Sequence, residues 1–418
     1  MDVFFLVIFT PIVFLFARTF RGAFNPAKLF CYFWIFQIAL MSFVLFPLLN
    51  LTYVGQIYIL VCLLIFLVGS SIGLNYKLNS PKILAIKKIS KRKLKIILCF
   101  LIMMGFASTL NNVLSHGFSL SQIFDFAELL NMNNEMSVQR YSGAEESRSF
   151  VSQIFGIFSS LCPLVGGFSF LLLKSRLSLF SLLPSICASL TSGAKMGVIT
   201  AFALFVSGVF VCSTVYSIKP RIKIRNVLYI TLTTLLFFMV LILSMMFRIG
   251  AFDINTLQIV SEKFIAYSLG HLPAFDYWFA KFMDQSQYNY GLGTQTFLGF
   301  FHYLGFVDRE QGLFQDFVEV SKTGGMTNVY TVFRIFINDF GILGTLLWCF
   351  LMGIITQVIY KCLSNNKSPE IFATLMVGVY FFTFWSFATS IFVYTTYFAI
   401  LFAFYFVMLI CRRNVRYA

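Results

Sequence analysis

Apolar residues run through this chain in long blocks broken by short polar joints. The blocks lie at about 3–17, 29–49, 53–74, 95–114, 150–173, 177–193, 195–216, 226–247, 329–360, 370–390 and 391–411. Most approach or exceed the roughly 17 to 20 residues that cross a hydrocarbon core, and their interiors are almost free of charge. The pattern predicts an all-α, polytopic membrane protein of about 11 transmembrane helices, built as a single membrane domain over residues 1–418. Two polar stretches interrupt it, 115–149 and 248–328. The second is unusually aromatic, as in Thr296-Phe-Leu-Gly-Phe-Phe-His-Tyr-Leu-Gly-Phe306, and suits amphipathic helices lying in the membrane interface.

Basic residues orient the spans. Lys77, Lys82, Lys87, Lys88, Lys91, Arg92, Lys93 and Lys95 form one joint without an acid, which the positive-inside rule places in the cytoplasm. Alternating from there puts most of the 31 basic residues inside, with Glu370 the one acid among them, and leaves both long polar stretches outside. Met1 and Asp2 precede the first span while Arg18 and Arg21 follow it, the reverse of a secretory signal, so the N-terminus is expected outside and the C-terminus inside. The block 177–193 is short, Ser-rich and interrupted by Pro184, yet the basic clusters on either side of the 177–216 stretch both favour the cytoplasm. The chain between them must go out and return, turning near Thr191 to Lys195 in a cavity open to the outside.

Composition agrees with that solvent. The chain is 59% hydrophobic and 11% charged, against about half and about a quarter in soluble domains. A net charge of +15 would suit nucleic acid on a soluble fold, but here the bases sit between spans and act as topology signals. The nine cysteines lie in or beside apolar runs, with neither a disulfide framework nor zinc spacing. No phosphate-binding glycine loop, His-Glu-x-x-His or nucleophile elbow is present, so neither a cofactor nor a metal is expected.

What remains for chemistry is a set of cations expected on the outer face: Arg140, Arg148, Lys195, Arg248, Arg309 and Arg334. Guanidinium groups grip phosphate with forked hydrogen bonds and stabilise charge that builds on a leaving diphosphate. The plainer reading is that such residues anchor helix ends. Arg334 differs because it lies inside an apolar helical pattern, with Thr331 and Asn338 on the same face. A buried arginine there lines a cavity or pairs with Asp339 or with the preceding loop. His116, His271 and His302 also fall on the outer side, where a neutral imidazole can take a proton from an attacking hydroxyl; structural histidines are commoner.

Several stretches together resemble the Wzy-type oligosaccharide repeat-unit polymerases, the bacterial O-antigen and capsule polymerases. They are Asn25-Pro26, Arg140-Tyr-Ser-Gly143, Leu190-Thr-Ser-Gly-Ala-Lys195, Arg248, Tyr290-Gly-Leu-Gly-Thr-Gln-Thr-Phe297, and Asn328-Val-Tyr-Thr331 followed by Asn338-Asp-Phe-Gly341. Lys195 stands where such proteins often carry arginine, and the paired Arg-x10-Gly loops of some members are missing. The resemblance implies a C-type membrane glycosyltransferase fold in the bacterial inner membrane, working without nucleotide sugar. It would move a growing glycan from undecaprenyl diphosphate to the terminal sugar of a newly flipped lipid-linked repeat unit. Arg140, Arg248 and Arg334 would neutralise the diphosphate, with His271 or Asp276 as base. Lys195, Tyr290, Thr294, Asn328, Tyr330, Thr331, Asn338 and Asp339 would bind substrate. Membrane lipids and a chain-length regulator protein complete the implied partners; nucleic acid is not among them. An O-antigen ligase shares the chemistry, and a lipid-linked oligosaccharide flippase is the rival from another class.

Overall fold

The computed structural model describes residues 2–76, 89–141, 150–192, 195–218, scattered positions from 232 to 249, 253–285, 288–308, 314–322, 324–365 and 369–412. Its helices are α1 (Asp2–Thr19), α2 (Pro26–Ala39), α3 (Val54–Asn75), α4 (Lys91–Ser115), α5 (Phe126–Tyr141), α6 (Phe150–Leu173), α7 (Leu177–Phe180), α8 (Leu183–Ser192) and α9 (Lys195–Val215). They continue as α10 (Ile254–Leu269), α11 (His271–Met283), α12 (Leu298–Tyr303), α13 (Val332–Ser364), α14 (Pro369–Trp385) and α15 (Thr395–Cys411). Among the described residues, six helices are long and apolar enough to cross a membrane: Pro26–Phe43, Val54–Asn75, Lys91–Ser115, Phe150–Leu173, Met196–Val215 and Val332–Ser364. Shorter apolar helices match the other expected blocks, except that 226–247 lies mostly outside the described residues. The chain is thus a mainly helical, multi-pass membrane protein. One small departure from all-α is the antiparallel pair β1 (Val318–Glu319) and β2 (Met326–Thr327).

Local chemistry explains several boundaries. Asn25 caps α2, its Oδ1 accepting from the Ala27 amide at 3.0 Å, and Pro26 fills the first helical position, where no N–H is needed. The block 177–193 is two helices, broken at Ser181–Leu182, so Pro184 falls in the first turn of α8 rather than inside a continuous helix.

The chain packs as two compact units, residues 1–84 with 262–395 and residues 85–261 with 396–418. In the first, α3 and α13 form the main contact, and small residues set how close they come. A Cβ on Gly69 would strike the Phe350 carbonyl and one on Gly353 the Phe66 carbonyl, so only glycine permits this backbone approach. Both ends of α3 are closed by distant side chains. Lys361 Nζ donates to the carbonyls of Leu74 and Tyr76 at 2.6 and 2.8 Å. At the other end, Asp276 of α11 accepts from the Tyr53 and Gln56 amides at 2.8 and 3.1 Å and from Gln56 Nε2 at 3.1 Å.

The second unit applies the same device to α6 and α9, where Gly167 faces the Phe205 carbonyl and Gly208 the Leu164 carbonyl. Here Asn133 of α5 donates to the last-turn Leu190 carbonyl of α8 at 2.7 Å, fastening the 115–149 stretch to the helix that precedes the Lys195 turn.

Candidate functional site

Two of the stretches that carry the resemblance, Tyr290–Phe297 and Asn328–Gly341, interlock in the first unit. The cause is a break in α13 at Gly341, whose φ of 71° and ψ of −179° lie outside helical space. Gly291 N donates to the Asn338 carbonyl at 2.9 Å and Leu292 N to the Asp339 carbonyl at 3.0 Å. The Asp339 side chain then accepts from the amides of Gln295 at 3.1 Å and Thr296 at 2.5 Å. Gly291 must be glycine, because a Cβ there would strike Asp339 Oδ1. Asn338 extends the network sideways, donating to Gln295 Oε1 at 2.9 Å and accepting from the Tyr288 hydroxyl at 2.6 Å. Burial pushes the Tyr288 hydroxyl above its ordinary pKa, so it stays a neutral donor.

One turn earlier, Arg334 is buried, and its partner is Asp316 of the preceding loop rather than Asp339. Nη1 donates to Oδ2 at 3.0 Å and Nη2 to Oδ1 at 3.2 Å, the forked geometry that guanidinium favours. The rings of Phe314 and Tyr330 each lie 3.9 Å from the guanidinium carbon, and Trp278 lies 5.1 Å away. Tyr330 also donates its hydroxyl to Asp316 Oδ2 at 3.1 Å, and Asn328 donates to the Phe314 carbonyl at 3.1 Å, which holds the loop against the helix. Thr331 precedes the first helical residue; its Oγ1 is buried without a hydrogen-bond partner among the described residues. Thr294 is half-buried in the turn begun by Gly291, its amide donating to the Gly291 carbonyl.

The two base candidates are placed differently. His271 opens α11 fully buried, its ring 6.3 Å from Trp34 and 5.4 Å from Phe387. Asp276 is fully buried with its oxygens turned to the start of α3; burial pushes its carboxyl up to about 6, against the pull of the donors from Tyr53 and Gln56. Its geometry is that of a helix cap. Arg140 and Lys195 lie in the second unit, near the end of α5 and at the start of α9, and Arg248 lies outside the described residues.

Beside the kink is a groove of about 300 Å³ whose lining includes Tyr290, Leu292, Asp339, Phe340, Trp348 and Leu351. Its surface is mostly apolar, and it follows one side of α13. Sequence reasoning missed Asp316, Tyr288 and Gln295. A buried arginine announces that an acid must be near, but eight acids between 248 and 328 are equally eligible by spacing.

The fold and this site define a helical multi-pass membrane protein in which a kinked, cation-bearing helix is locked to a long interhelix segment. No family model, curated protein or solved structure matches the chain at a significant level.

Proposed function

We propose that this protein is an O-antigen or surface-polysaccharide polymerase of the bacterial inner membrane, with its N-terminus outside and its C-terminus inside. The observation that supports this most is the assembly of the Tyr290–Phe297 and Asn328–Gly341 stretches next to a buried arginine. In the proposed reaction, the terminal hydroxyl of a lipid-linked repeat unit attacks the anomeric carbon of the growing glycan. A new C–O bond forms there, the bond to undecaprenyl diphosphate breaks, the hydroxyl proton passes to the departing diphosphate, and Arg334 meets the charge that develops on that leaving group. The groove beside Gly344 takes part of the carrier's hydrocarbon, and the Tyr288, Asn338 and Gln295 network offers the sugar paired donors and acceptors. A chain-length regulator is the expected protein partner.

Deleting the gene and resolving the surface glycan on a gel tests the reading. A polymerase leaves a single repeat unit on the lipid core, a ligase leaves unattached polymer, and a flippase leaves no surface repeat. Arg334→Ala, inserted normally in the membrane, is expected to lower polymer yield about 100-fold or more, the scale of losing one preorganised charge contact. An unimpaired variant would remove Arg334 from the site.

A further inference from the structure

The fork of Arg334 is filled by an anion from the chain itself. A guanidinium whose side chain is 9% exposed needs a counter-charge at all times, and Asp316 supplies it from the open side, with 52% of its own side chain exposed. The arginine is the fixed member, packed into the corner where the rings of Phe314 and Tyr330 meet edge to face. Asp316 is held by less. Besides the arginine, the Tyr330 hydroxyl reaches its carboxylate, at 3.1 Å. Phe314 is buried in the core cluster with Ala266, Ala274, Val320, Tyr330 and Ile335. Rotation of the Asp316 side chain about its own bonds therefore opens the fork without moving the cage.

One donor is also left over. Arg334 Nε is buried with no hydrogen-bond partner among the described residues, while both oxygens of Asp316 are taken by Nη1 and Nη2. A diphosphate presents two oxygens of one phosphate to the fork and an oxygen of the other to Nε, with more charge. From these relationships we infer that Asp316 is an exchangeable internal counter-ion: a phosphate group enters the Phe314–Tyr330–Arg334 cradle by displacing it, and Asp316 sets the affinity of that site. The identity of the phosphate as that of a lipid-linked diphosphate rests on the proposed function; the exchange does not.

The test uses the purified full-length protein in detergent, inorganic pyrophosphate as probe, and isothermal titration calorimetry. Asp316→Asn is expected to bind pyrophosphate about tenfold more tightly than wild type, the scale of losing one charged hydrogen-bonded competitor. Tyr330→Phe keeps the ring but removes the hydroxyl's bonds to both the Asp316 carboxylate and its backbone carbonyl, and is expected to tighten binding about threefold. It decides the matter if Asp316→Asn does not fold. Arg334→Gln abolishes the gain in either background. The inference is overturned if neither variant binds more tightly than wild type, or if the gain persists without Arg334. Tighter pyrophosphate binding together with an unaltered surface glycan in the deletion strain leaves the exchange standing and removes the polymerase reading. Loss of polymer with unchanged binding does the reverse.

Discussion

The carboxylate of Asp339 reaches across from α13 to the amide of Thr296 at 2.5 Å, so a charge inside a membrane-length helix is neutralised in part by loop backbone. Fully buried, it also takes the Gln295 amide. Asp339→Ala leaves both donors without an acceptor and is expected to lower stability by about 3 kcal/mol, from two hydrogen bonds to a charged group. Asp339→Asn keeps one acceptor and is expected to lose about half as much. Thermal unfolding of the purified protein measures both; equal losses would show that the charge, not the acceptor count, matters.

Gly341→Ala tests the kink. A φ of 71° with a ψ of −179° is open almost only to glycine and disfavours any side chain by about 1–3 kcal/mol, and a Cβ would sit 3.0 Å from the Tyr290 ring. The variant is expected to melt earlier and to loosen the 288–297 segment, read as faster amide exchange there. Unchanged exchange would mean that the segment is held independently of the break.

Asp276 gives a pH signature. Its carboxyl is raised from 3.8 to about 6 in the folded protein, so the folded state binds the proton more readily than the unfolded one. Its contribution is fully present below about pH 4 and is lost as pH rises through about 6, changing stability by about 3 kcal/mol in all. Asp276→Asn is expected to flatten this part of the unfolding midpoint against pH. A variant with the wild-type slope would assign it to another group.

Leu351→Trp narrows the groove beside the kink without touching Arg334. If hydrocarbon of the carrier lies there, the expected result is a higher KM for lipid-linked substrate, about tenfold for the lost apolar contact, with kcat little changed. A fall in kcat alone would place the carrier elsewhere.

Much of this was legible in residue order, and for identifiable reasons. Spans declare themselves through length and lack of charge, and the stretch 150–173 coincides with α6 (Phe150–Leu173). The residues from Tyr290 and from Asn328 onward were marked by resemblance, and they do meet. What remained illegible was pairing at long range. Asp276 looks like a base among loop residues because nothing local shows that Tyr53 and Gln56, 223 and 220 positions away, turn their amides to it. Arg334 required an acid, but which one depends on how the loop folds back. Nor does Gly341 differ from other glycines in span-like sequence until Gly291 and Leu292 arrive to take the carbonyls of Asn338 and Asp339.

The break at Gly341 also divides α13 into two regimes of tolerance. From Thr331 to Asp339 every residue is buried, whereas beyond the break burial recurs at Gly341, Thr345 and Cys349, with Leu343 and Leu347 exposed between them. A saturation mutagenesis scan along this helix should therefore read as two rhythms. Nearly every position is refused before residue 341, and about one in three is refused after it, so the kink is written into the genetics as a change of beat.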